Sequence, residues 1–428
     1  MLLLDPGRSD TLQQHPVVVH DTFQIQKTFA EPAMDETNAM QDSRDLRSHK
    51  QSRKEDAIEQ LLKDHTEFIA WNSAGPAVSD FRSDVVTTPS LRMLAAIVNT
   101  TLRDDVFRED TTTMDLESDM AARCGQAAGL FVITGTMANQ LALRTLLTQP
   151  PHAILADARA HILTHEAGGP AFMSGAMVQA VVPSNGKYLT VEDIEASAVL
   201  SDNVHRCPTR VIALENTIGG CIVPLSEMIK ISRWARKNGV KIHLDGARLF
   251  EAVAAGAGSL RTYCQLVDTV TVDFSKNLGA PMGAMLLGNS EHIAQARWIR
   301  KSIGGGMRQA GVLSAAARVA VEEQFGPGEH GDAGKLREVH RAAKQVGEMW
   351  QSRGGKLTKD IETNQVWIDL RVLGISSEEW NDIGKSQGIS LDGPRIVLHH
   401  QIAAEAIHRL GRAFDIVMSR AAERKDKS

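Results

Sequence analysis

Short runs of apolar and β-branched residues recur along this chain, and each ends in polar or charged residues. The runs lie at 128–133, 153–157, 178–182, 209–214, 240–244 and 271–274. Segments with helical periodicity separate several of them, and this alternation predicts βαβ units and an open, mainly parallel sheet covered by helices. Sheets of this kind hold their ligands beyond the carboxyl ends of the strands. The sequence therefore predicts an α/β fold with its chemistry on the loops that follow the strands.

Two neighbouring strand ends carry the most specific chemistry. Asp245 follows the run at 240–244, and Lys276 follows the run at 271–274. A lysine can hold the aldehyde of a cofactor as a Schiff base, and a carboxylate can keep the ring nitrogen of that cofactor protonated, so that the ring accepts electrons. An isolated Asp and Lys are more often a turn cap and a solvated charge. The polar strand ends around this pair favour pyridoxal phosphate, with Lys276 as the Schiff-base residue and Asp245 as the partner of the ring nitrogen.

A third strand end resembles a phosphate-binding turn. Thr134, Gly135 and Thr136 lie between an apolar strand and a helical segment. Free backbone amides and the positive end of the helix can hold a phosphate at such a joint. The same joint occurs throughout α/β proteins, so the pattern alone leaves phosphate binding open.

Three titratable residues follow the run at 153–157. His161 and His165 are four residues apart and Glu166 is adjacent, which resembles the metal-binding face of a zinc helix. No metal site is expected, because a third ligand at metal spacing is missing and a Gly-Gly-Pro sequence interrupts the helix. We instead expect the ring of His161 to stack on the cofactor ring, with His165 or Glu166 available for proton transfer. A structural role for His165 stays open.

Composition and charge exclude several classes of protein. The 428 residues are 43% apolar with a net charge of −5, which gives no reason to expect nucleic acid or a membrane surface as a partner. The four cysteines are widely spaced, which favours a reducing, cytoplasmic location. No apolar run approaches the roughly 18 residues of a spanning helix, and the apolar start at 1–4 is too short for the core of a signal peptide.

The chain is predicted to divide into four parts. Residues 1–54 lack periodicity and are expected to be a disordered extension, and residues 55–77 form a helical lead-in. A large cofactor-binding domain is predicted at 78–326 and a small C-terminal α/β domain at 335–428, separated by a Gly- and Pro-rich linker. The active site is expected between these two domains.

Eight motifs occur in order between residues 80 and 318: DFRSDVVTTPS, DDVFRED, ITGTMANQ, HEAGG, LENT, HLDGARL, FSKNLGAPMG and GGGMRQAG. Together they resemble the low-specificity threonine aldolases, which are β-eliminating lyases with the aspartate-aminotransferase-type fold (fold type I) of pyridoxal-phosphate enzymes. The resemblance implies a large, mainly parallel-sheet domain with a small C-terminal domain. It also implies pyridoxal 5'-phosphate as the cofactor, an amino-acid substrate, and a homodimer or homotetramer.

The resemblance implies a role for individual residues as well. It implies that the cofactor is bound by Gly135, Thr136, His161, Asp245, Lys276, Lys301 and Arg308. Of these, Lys301 and Arg308 would reach in from a neighbouring subunit. It also implies that the substrate carboxylate is bound by Ser83, Arg248 and Arg395. Arginine suits that task because its planar guanidinium binds a carboxylate through two parallel hydrogen bonds.

Two activities are compatible with these residues. The first is cleavage of L-threonine or L-allo-threonine to glycine and an aldehyde. The second is racemisation of an amino acid, with alanine favoured, because the resemblance extends to fungal alanine racemases that supply a D-amino acid for peptide synthesis. Many bacterial relatives have a histidine directly after Glu-Asn-Thr, where this chain has Ile218, Gly219 and Gly220. The base that would take the proton of the β-hydroxyl is therefore not identified. Asn277 replaces a glycine that usually follows the Schiff-base lysine. A pyridoxal-binding protein without catalysis is disfavoured by the retained lysine, aspartate and arginines.

Overall fold

The computed structural model describes residues 51–64, 70–327 and 334–427. The residues from Gln51 onward form one unit. Most of the predicted extension at 1–54 lies outside the described residues; its last four residues lie in a helix, α1, which is described over 51–63. The predicted linker also lies largely outside them. The division into domains at 78–326 and 335–428 stays a prediction.

Among the described residues, a seven-stranded sheet forms the centre of the fold. Its strands are β1 (Ala128–Val132), β2 (Ala153–Asp157), β3 (Met177–Val181), β4 (Thr209–Glu215), β5 (Lys241–Gly246), β6 (Thr269–Asp273) and β7 (Ala284–Gly288). The spatial order is β1-β7-β6-β5-β4-β2-β3. β3, β2, β4, β5 and β6 are parallel neighbours, whereas β7 is antiparallel to both β6 and β1. The predicted mainly parallel sheet is thus confirmed.

Helices cover both faces of this sheet. In chain order they are α2 (Leu91–Val98), α3 (Thr111–Cys124), α4 (Gly135–Leu146), α5 (His161–Thr164), α6 (Gly169–Ser174), α7 (Val191–Ser197), α8 (Leu225–Asn238), α9 (Leu249–Ala254), α10 (Leu260–Cys264), α11 (Ser290–Ser302) and α12 (Gly311–Gln324). Alternate residues of a strand point to opposite faces. On β1, for example, Phe131 packs into the larger core, while Leu130 and Val132 pack against residues of α4 and α11. Burial on both faces explains why the strands are continuous apolar runs.

A second core lies in the C-terminal part. It is built by α13 (Gly334–Gln351), β8 (Gln365–Trp367), α14 (Ser377–Ser386), β9 (Arg395–Val397) and α15 (Ala404–Lys427). β8 and β9 pair antiparallel, with Trp367 opposite Arg395. Trp350, Trp380 and Phe414 pack together at its centre. The sequence predicts strands at 365–370 and 396–400 in this part; β8 and β9 occur there in that order but are shorter, with three residues each. None of the helices in the described ranges is long and apolar enough to cross a membrane.

The segment after α1 links this second core to the sheet. This segment contains three short 3-10 helices, at Ala70–Asn72, Gly75–Ser79 and Asp84–Val86. A further 3-10 helix lies in the C-terminal part, at Arg371–Leu373. Phe81 is buried in the C-terminal core, and its carbonyl accepts a hydrogen bond from the Val397 amide at 2.9 Å. The chain then leads to Ser83 and Asp84. The two residues are therefore held beside β9 and the ends of the central strands.

Candidate active site

The carboxyl ends of β2, β4, β5 and β6 meet at one edge of the sheet. Asp245 lies near the end of β5, and Glu215 ends β4 directly opposite it in the strand register. Lys276 follows β6 by three residues, and His161 is the first residue of α5, the helical turn after β2. The sheet topology thus brings together residues that are more than a hundred positions apart in sequence.

Asp245 is buried, and both of its carboxylate oxygens are hydrogen-bonded. Its Oδ2 accepts from Asn139 Nδ2 at 2.7 Å, and its Oδ1 accepts from the Ala247 amide at 3.0 Å. Donors on both oxygens fix the orientation of the carboxylate. A fixed, buried anion suits the ring nitrogen of pyridoxal phosphate, whose protonation it would stabilise.

Asn139 is the centre of a buried polar network beneath this edge. Its Nδ2 also donates to Glu166 Oε1 at 2.9 Å, and its Oδ1 lies 3.0 Å from His243 Nε2. Burial lowers the pKa of His243 to about 4, so the ring is neutral near pH 7. The carbonyl of Asn139 can only accept, so His243 Nε2 donates and its Nδ1 accepts from the Thr269 hydroxyl at 3.0 Å. The neutral histidine therefore sets the orientation of the amide that holds both carboxylates.

His161 is oriented by Glu166. Its Nδ1 lies 2.8 Å from Glu166 Oε1, while Glu166 Oε2 accepts from Gln140 Nε2 at 2.5 Å. The hydrogen bond that His161 Nδ1 donates to the Glu166 carboxylate is the main cause that raises the pKa of His161 above its usual value, and burial opposes it. The His161 side chain remains 40% exposed, so part of its ring is accessible to a ligand. The exposed ring of His165 lies parallel to it, with centroids 5.4 Å apart.

His161, Glu166 and Asp245 each offer one side-chain atom that could bind a metal ion, and these three atoms lie within 4.8 Å of one another. Spacing in sequence did not reveal Asp245 as the third member, because it comes from a different strand. The Nδ2 group of Asn139 donates to the carboxylates of Glu166 and Asp245. We therefore interpret the grouping as a hydrogen-bond network, and the absence of a metal site stays a prediction.

Lys276 is held by its backbone more than by its side chain. Its carbonyl accepts from Thr87 Oγ1 at 2.6 Å, whereas its Nζ lies 3.9 Å from Asp273 Oδ2. The side chain is 17% exposed. An ion pair at that distance is loose, so the amine is not locked in place and is available to a carbonyl group. This arrangement fits the role of a Schiff-base lysine.

The predicted phosphate turn begins α4. The hydroxyl of Thr134, the N-cap residue, accepts from the Met137 amide at 3.0 Å, and Gly135 and Thr136 are the first two helical residues. Their amides belong to the first turn, where helices lack internal acceptors. A Cβ atom at position 135 would lie 2.9 Å from Asp273 Oδ2, so a larger residue there would have to displace the Asp273 carboxylate. The turn is thus open to an anion and close to the loop of Lys276.

Arg248 forms a bidentate ion pair that the sequence did not reveal. Its Nε donates to Asp84 Oδ2 at 2.9 Å and its Nη2 donates to Asp84 Oδ1 at 2.6 Å. Burial opposes the charge of Arg248, but the Asp84 carboxylate outweighs it and raises the pKa of the guanidinium. These bonds use one edge of the guanidinium. The edge formed by Nη1 and the second proton of Nη2 is left for another carboxylate.

Arg395 and Ser83 lie close to Arg248. Arg395 Nη2 donates to the Arg82 carbonyl at 3.1 Å, and Ser83 Oγ lies 3.5 Å from Asp84 Oδ1. Burial, followed by the charge of Arg248, lowers the pKa of Arg395. Two guanidinium groups that repel each other in a partly buried place are stabilised by an anion between them. The predicted substrate-carboxylate residues are thus brought together.

Lys301 lies near the end of α11, and Arg308 lies six residues beyond that helix. Both are exposed, and Arg308 Nη1 donates to Asp104 Oδ2 of the same chain at 2.7 Å. That Lys301 and Arg308 bind the cofactor of a neighbouring subunit stays a prediction.

Glu215 is a titratable residue that the sequence did not single out. Its Oε2 accepts from the His161 amide at 2.9 Å. Burial, and next the charge of Asp245, raise the pKa of Glu215 to about 7. In the sequence, Glu215 is distinguished only by its position at the end of a buried strand. The structure shows that it lies in register with Asp245. His243 and Asn139 were missed in the same way, although His243 is two residues before Asp245 and so shares its face of β5.

Comparison with known proteins identifies related sequences and folds. The model of the beta-eliminating lyase family matches residues 80–372. The alanine racemase TOXG of Cochliobolus carbonum is 55% identical over 352 residues, covering 82% of this chain and 90% of that protein. The aldolase vrtJ of Penicillium aethiopicum is 53% identical over 340 residues, covering 79% and 86%. The low-specificity L-threonine aldolase of Candida albicans is 42% identical over 333 residues, covering 77% and 87%. Among solved structures, the threonine aldolase of Leishmania major matches with a TM-score of 0.66 at 18% identity, covering 80% and 99%, which supports the fold.

Proposed function

Because the chain belongs to the β-eliminating lyase family of pyridoxal-phosphate enzymes, we propose that it cleaves L-threonine and L-allo-threonine to glycine and an aldehyde. The observation that carries this proposal is the arrangement at one edge of the sheet. Lys276 and Asp245 lie at neighbouring strand ends, Arg248 lines the same cavity as Lys276, and Arg395 is close enough to Arg248 for their charges to interact. A cofactor site and a carboxylate site in this arrangement fit an amino acid bound through both its amine and its carboxylate.

The residues present fit the cofactor. Lys276 would bond to its aldehyde, Asp245 to its ring nitrogen, and the amides of Gly135 and Thr136 to its phosphate. Pyridoxal phosphate supplies an electron sink that weakens the bonds to the α-carbon of an attached amino acid. The partly exposed ring of His161 is held by Glu166 and would pack on the cofactor ring.

The arginines would orient the substrate. The free edge of Arg248 offers two parallel N–H donors to the α-carboxylate, and its other edge is fixed by Asp84. Arg395 and Ser83 would complete this site. A carboxylate held by two fixed donors positions the α-carbon with little loss of freedom during reaction.

Cleavage of the bond between the α- and β-carbons also needs a base for the β-hydroxyl. We assign this role to the pair of His161 and Glu166, with His165 beside it. The raised pKa of His161 makes the neutral ring a stronger base than an ordinary histidine. Glu166 accepts from Asn139, Gln140 and His161, so it orients the ring and stabilises its charged form.

A single assay tests the proposal. The purified protein is incubated with L-threonine and, separately, with L-alanine, and acetaldehyde and D-alanine are measured. Acetaldehyde from threonine is expected, and Lys276→Ala serves as the control without activity. Formation of D-alanine without acetaldehyde would replace the proposal with the second candidate.

That second candidate is an alanine racemase, and one observation favours it. Residues 218–220, which follow Glu-Asn-Thr, carry no titratable side chain, and the Gly219 carbonyl is bound by Lys359 Nζ at 3.1 Å and Trp367 Nε1 at 3.0 Å. Racemisation moves a proton at the α-carbon and needs no base for a β-hydroxyl. The similarity to TOXG agrees with this alternative.

We further propose a homodimer or homotetramer in the cytoplasm. The exposed Lys301 and Arg308 would face a second subunit. The four free cysteines are compatible with a reducing compartment.

A further inference from the structure

Asn277 directly follows Lys276, its side chain is buried, and both polar atoms of that side chain are hydrogen-bonded. Its Nδ2 donates to Glu251 Oε1 at 2.7 Å, and its Oδ1 accepts from the His400 amide at 3.0 Å. The Asn277 carbonyl also lies 2.9 Å from His400 Nδ1. Because a carbonyl can only accept, His400 Nδ1 carries the proton. Three hydrogen bonds thus fix this residue beside the Schiff-base lysine.

Both partners of Asn277 belong to segments that carry the predicted carboxylate-binding arginines. Glu251 lies on α9, which begins directly after Arg248. His400 follows β9, whose first residue is Arg395. The side chain of Asn277 therefore connects the loop of Lys276 to both arginine segments.

Two further contacts make this connection rigid. His340, on α13, is buried, and its Nε2 lies 2.6 Å from Glu251 Oε2, so the second oxygen of Glu251 is also bound. The ring of His400 packs against the lysine loop at Gly279, where a Cβ atom would lie 3.0 Å from His400 Cε1. Gly279 has a φ of +82°, which also favours glycine. A buried network of satisfied hydrogen bonds makes the segments that it joins rigid relative to one another.

We propose that Asn277 is a positioning residue that couples occupation of the carboxylate site at Arg248 and Arg395 to the placement of Lys276. A carboxylate that binds both guanidiniums fixes α9 and the segment at 395–400 relative to each other. Asn277 is bonded to both, so the backbone of Lys276 is fixed with them. The proposal rests on the proposed function, because it assumes that these arginines bind the substrate carboxylate.

Hydrogen exchange measured by mass spectrometry on the cofactor-loaded enzyme tests this coupling. Propionate serves as the probe, because it has the carboxylate of alanine but no amine to react with the cofactor. Binding is followed by the rise in melting temperature, and coupling by amide exchange in the peptide 274–280. Asn277→Gly leaves one of the three hydrogen bonds, and Asn277→Asp keeps the size but removes the Nδ2 donor. The control is Ser232→Ala, which removes one buried hydrogen bond, to the Leu266 carbonyl at 2.6 Å, near the opposite end of β5.

In the wild type and in Ser232→Ala, propionate is expected to slow exchange of the peptide by about fivefold, at the lower end of usual coupling between sites. Both Asn277 variants are expected to bind propionate but to lose this protection. If Asn277→Gly does not fold, Asn277→Asp decides alone. Normal binding with undiminished protection in the Asn277 variants would overturn the coupling by itself. Absence of propionate binding to the wild type would overturn the assignment of the arginines, and the coupling with it.

Discussion

The buried ion pair of Arg248 and Asp84 gives the sharpest prediction about stability. The two side chains are 14% and 0% exposed, with Nη2 and Oδ1 2.6 Å apart. Asp84→Asn keeps the shape of the side chain but leaves the guanidinium charge buried without a counter-charge. Breaking a buried pair in this way costs about 3–5 kcal/mol. We expect the free energy of unfolding of Asp84→Asn to fall by about that amount, because the Arg248 guanidinium would lose both charged hydrogen bonds to Asp84 in a largely buried place.

Burial, and not distance, sets this magnitude, and a second pair in the same chain provides the control. Lys63 Nζ lies 2.7 Å from Glu59 Oε1, but these side chains are 51% and 20% exposed. An exposed i,i+4 pair contributes only about 0.3–0.5 kcal/mol. Urea denaturation at pH 7, followed by tryptophan fluorescence, should therefore show a roughly tenfold larger loss for Asp84→Asn than for Glu59→Gln.

The effect should also depend on pH in a defined direction. Burial alone would raise the pKa of Asp84, but Arg248 holds it well below its usual range. The stabilisation is therefore complete above the unfolded pKa of about 4 and is lost as the pH falls below it. The difference between wild type and Asp84→Asn should narrow below about pH 4. A loss of less than about 1 kcal/mol at pH 7, which is typical of surface pairs, would refute the reasoning.

Four further outcomes are expected. Lys276→Ala should lose both the visible absorbance of the bound cofactor and its borohydride-reducible adduct, and a persisting adduct would exclude Lys276 as its anchor. Arg248→Lys and Arg395→Lys should each weaken amino-acid binding by about 1.5–3 kcal/mol in spectroscopic titrations while keeping the cofactor, since a fork of two donors is lost; only Arg248→Lys should also lower the melting temperature. Asp245→Asn should reduce turnover more than amino-acid affinity, because an amide cannot keep the ring nitrogen protonated by charge, and near-normal kcat would contradict this role. Glu215 has a folded pKa raised from 4.5 to about 7, so wild-type stability should fall as the pH rises through this range; Glu215→Gln should remove that fall in urea titrations at several pH values, and an unchanged slope would exclude Glu215 as its source.

Much of the fold could be predicted because buried parallel strands leave a direct signal in the sequence. All five residues of β2 and of β6 are buried; β2 appears in the sequence as an apolar run and β6 as a β-branched run, each with a polar end. The antiparallel direction of β7 was not predicted, although only ten residues separate it from β6. A parallel return needs a crossover of about a dozen residues or more. The short strands β8 and β9 were predicted too long, since neighbouring loops share their apolar character.

The site could be predicted only where the type of a residue and its position in the sequence indicate its chemical role. Lys276 follows β6 and Asp245 lies near the end of the neighbouring strand β5, so the topology alone brings them together. Asp84 could not be assigned to Arg248, because 164 residues separate them and only the packing of the segment after Phe81 against β9 aligns them. Asn139 was likewise unassigned, since an amide on a helix gives no sign that it holds two distant carboxylates.

The loop at 218–220 limits which residue can act on a β-hydroxyl. Gly219 and Gly220 have φ values of +54° and +83°, and a Cβ atom at these positions would lie 3.0 Å from Lys359 Nζ and 2.9 Å from Gln365 Cβ, respectively. The second contact is with the base of a buried side chain, so position 220 cannot take a histidine without displacing β8. Since Ile218 is buried as well, this loop presents no side chain that exchanges protons. The proposed carbon–carbon cleavage therefore requires a base on the other side of the site, where the turn after β2 carries His161 and its partner Glu166.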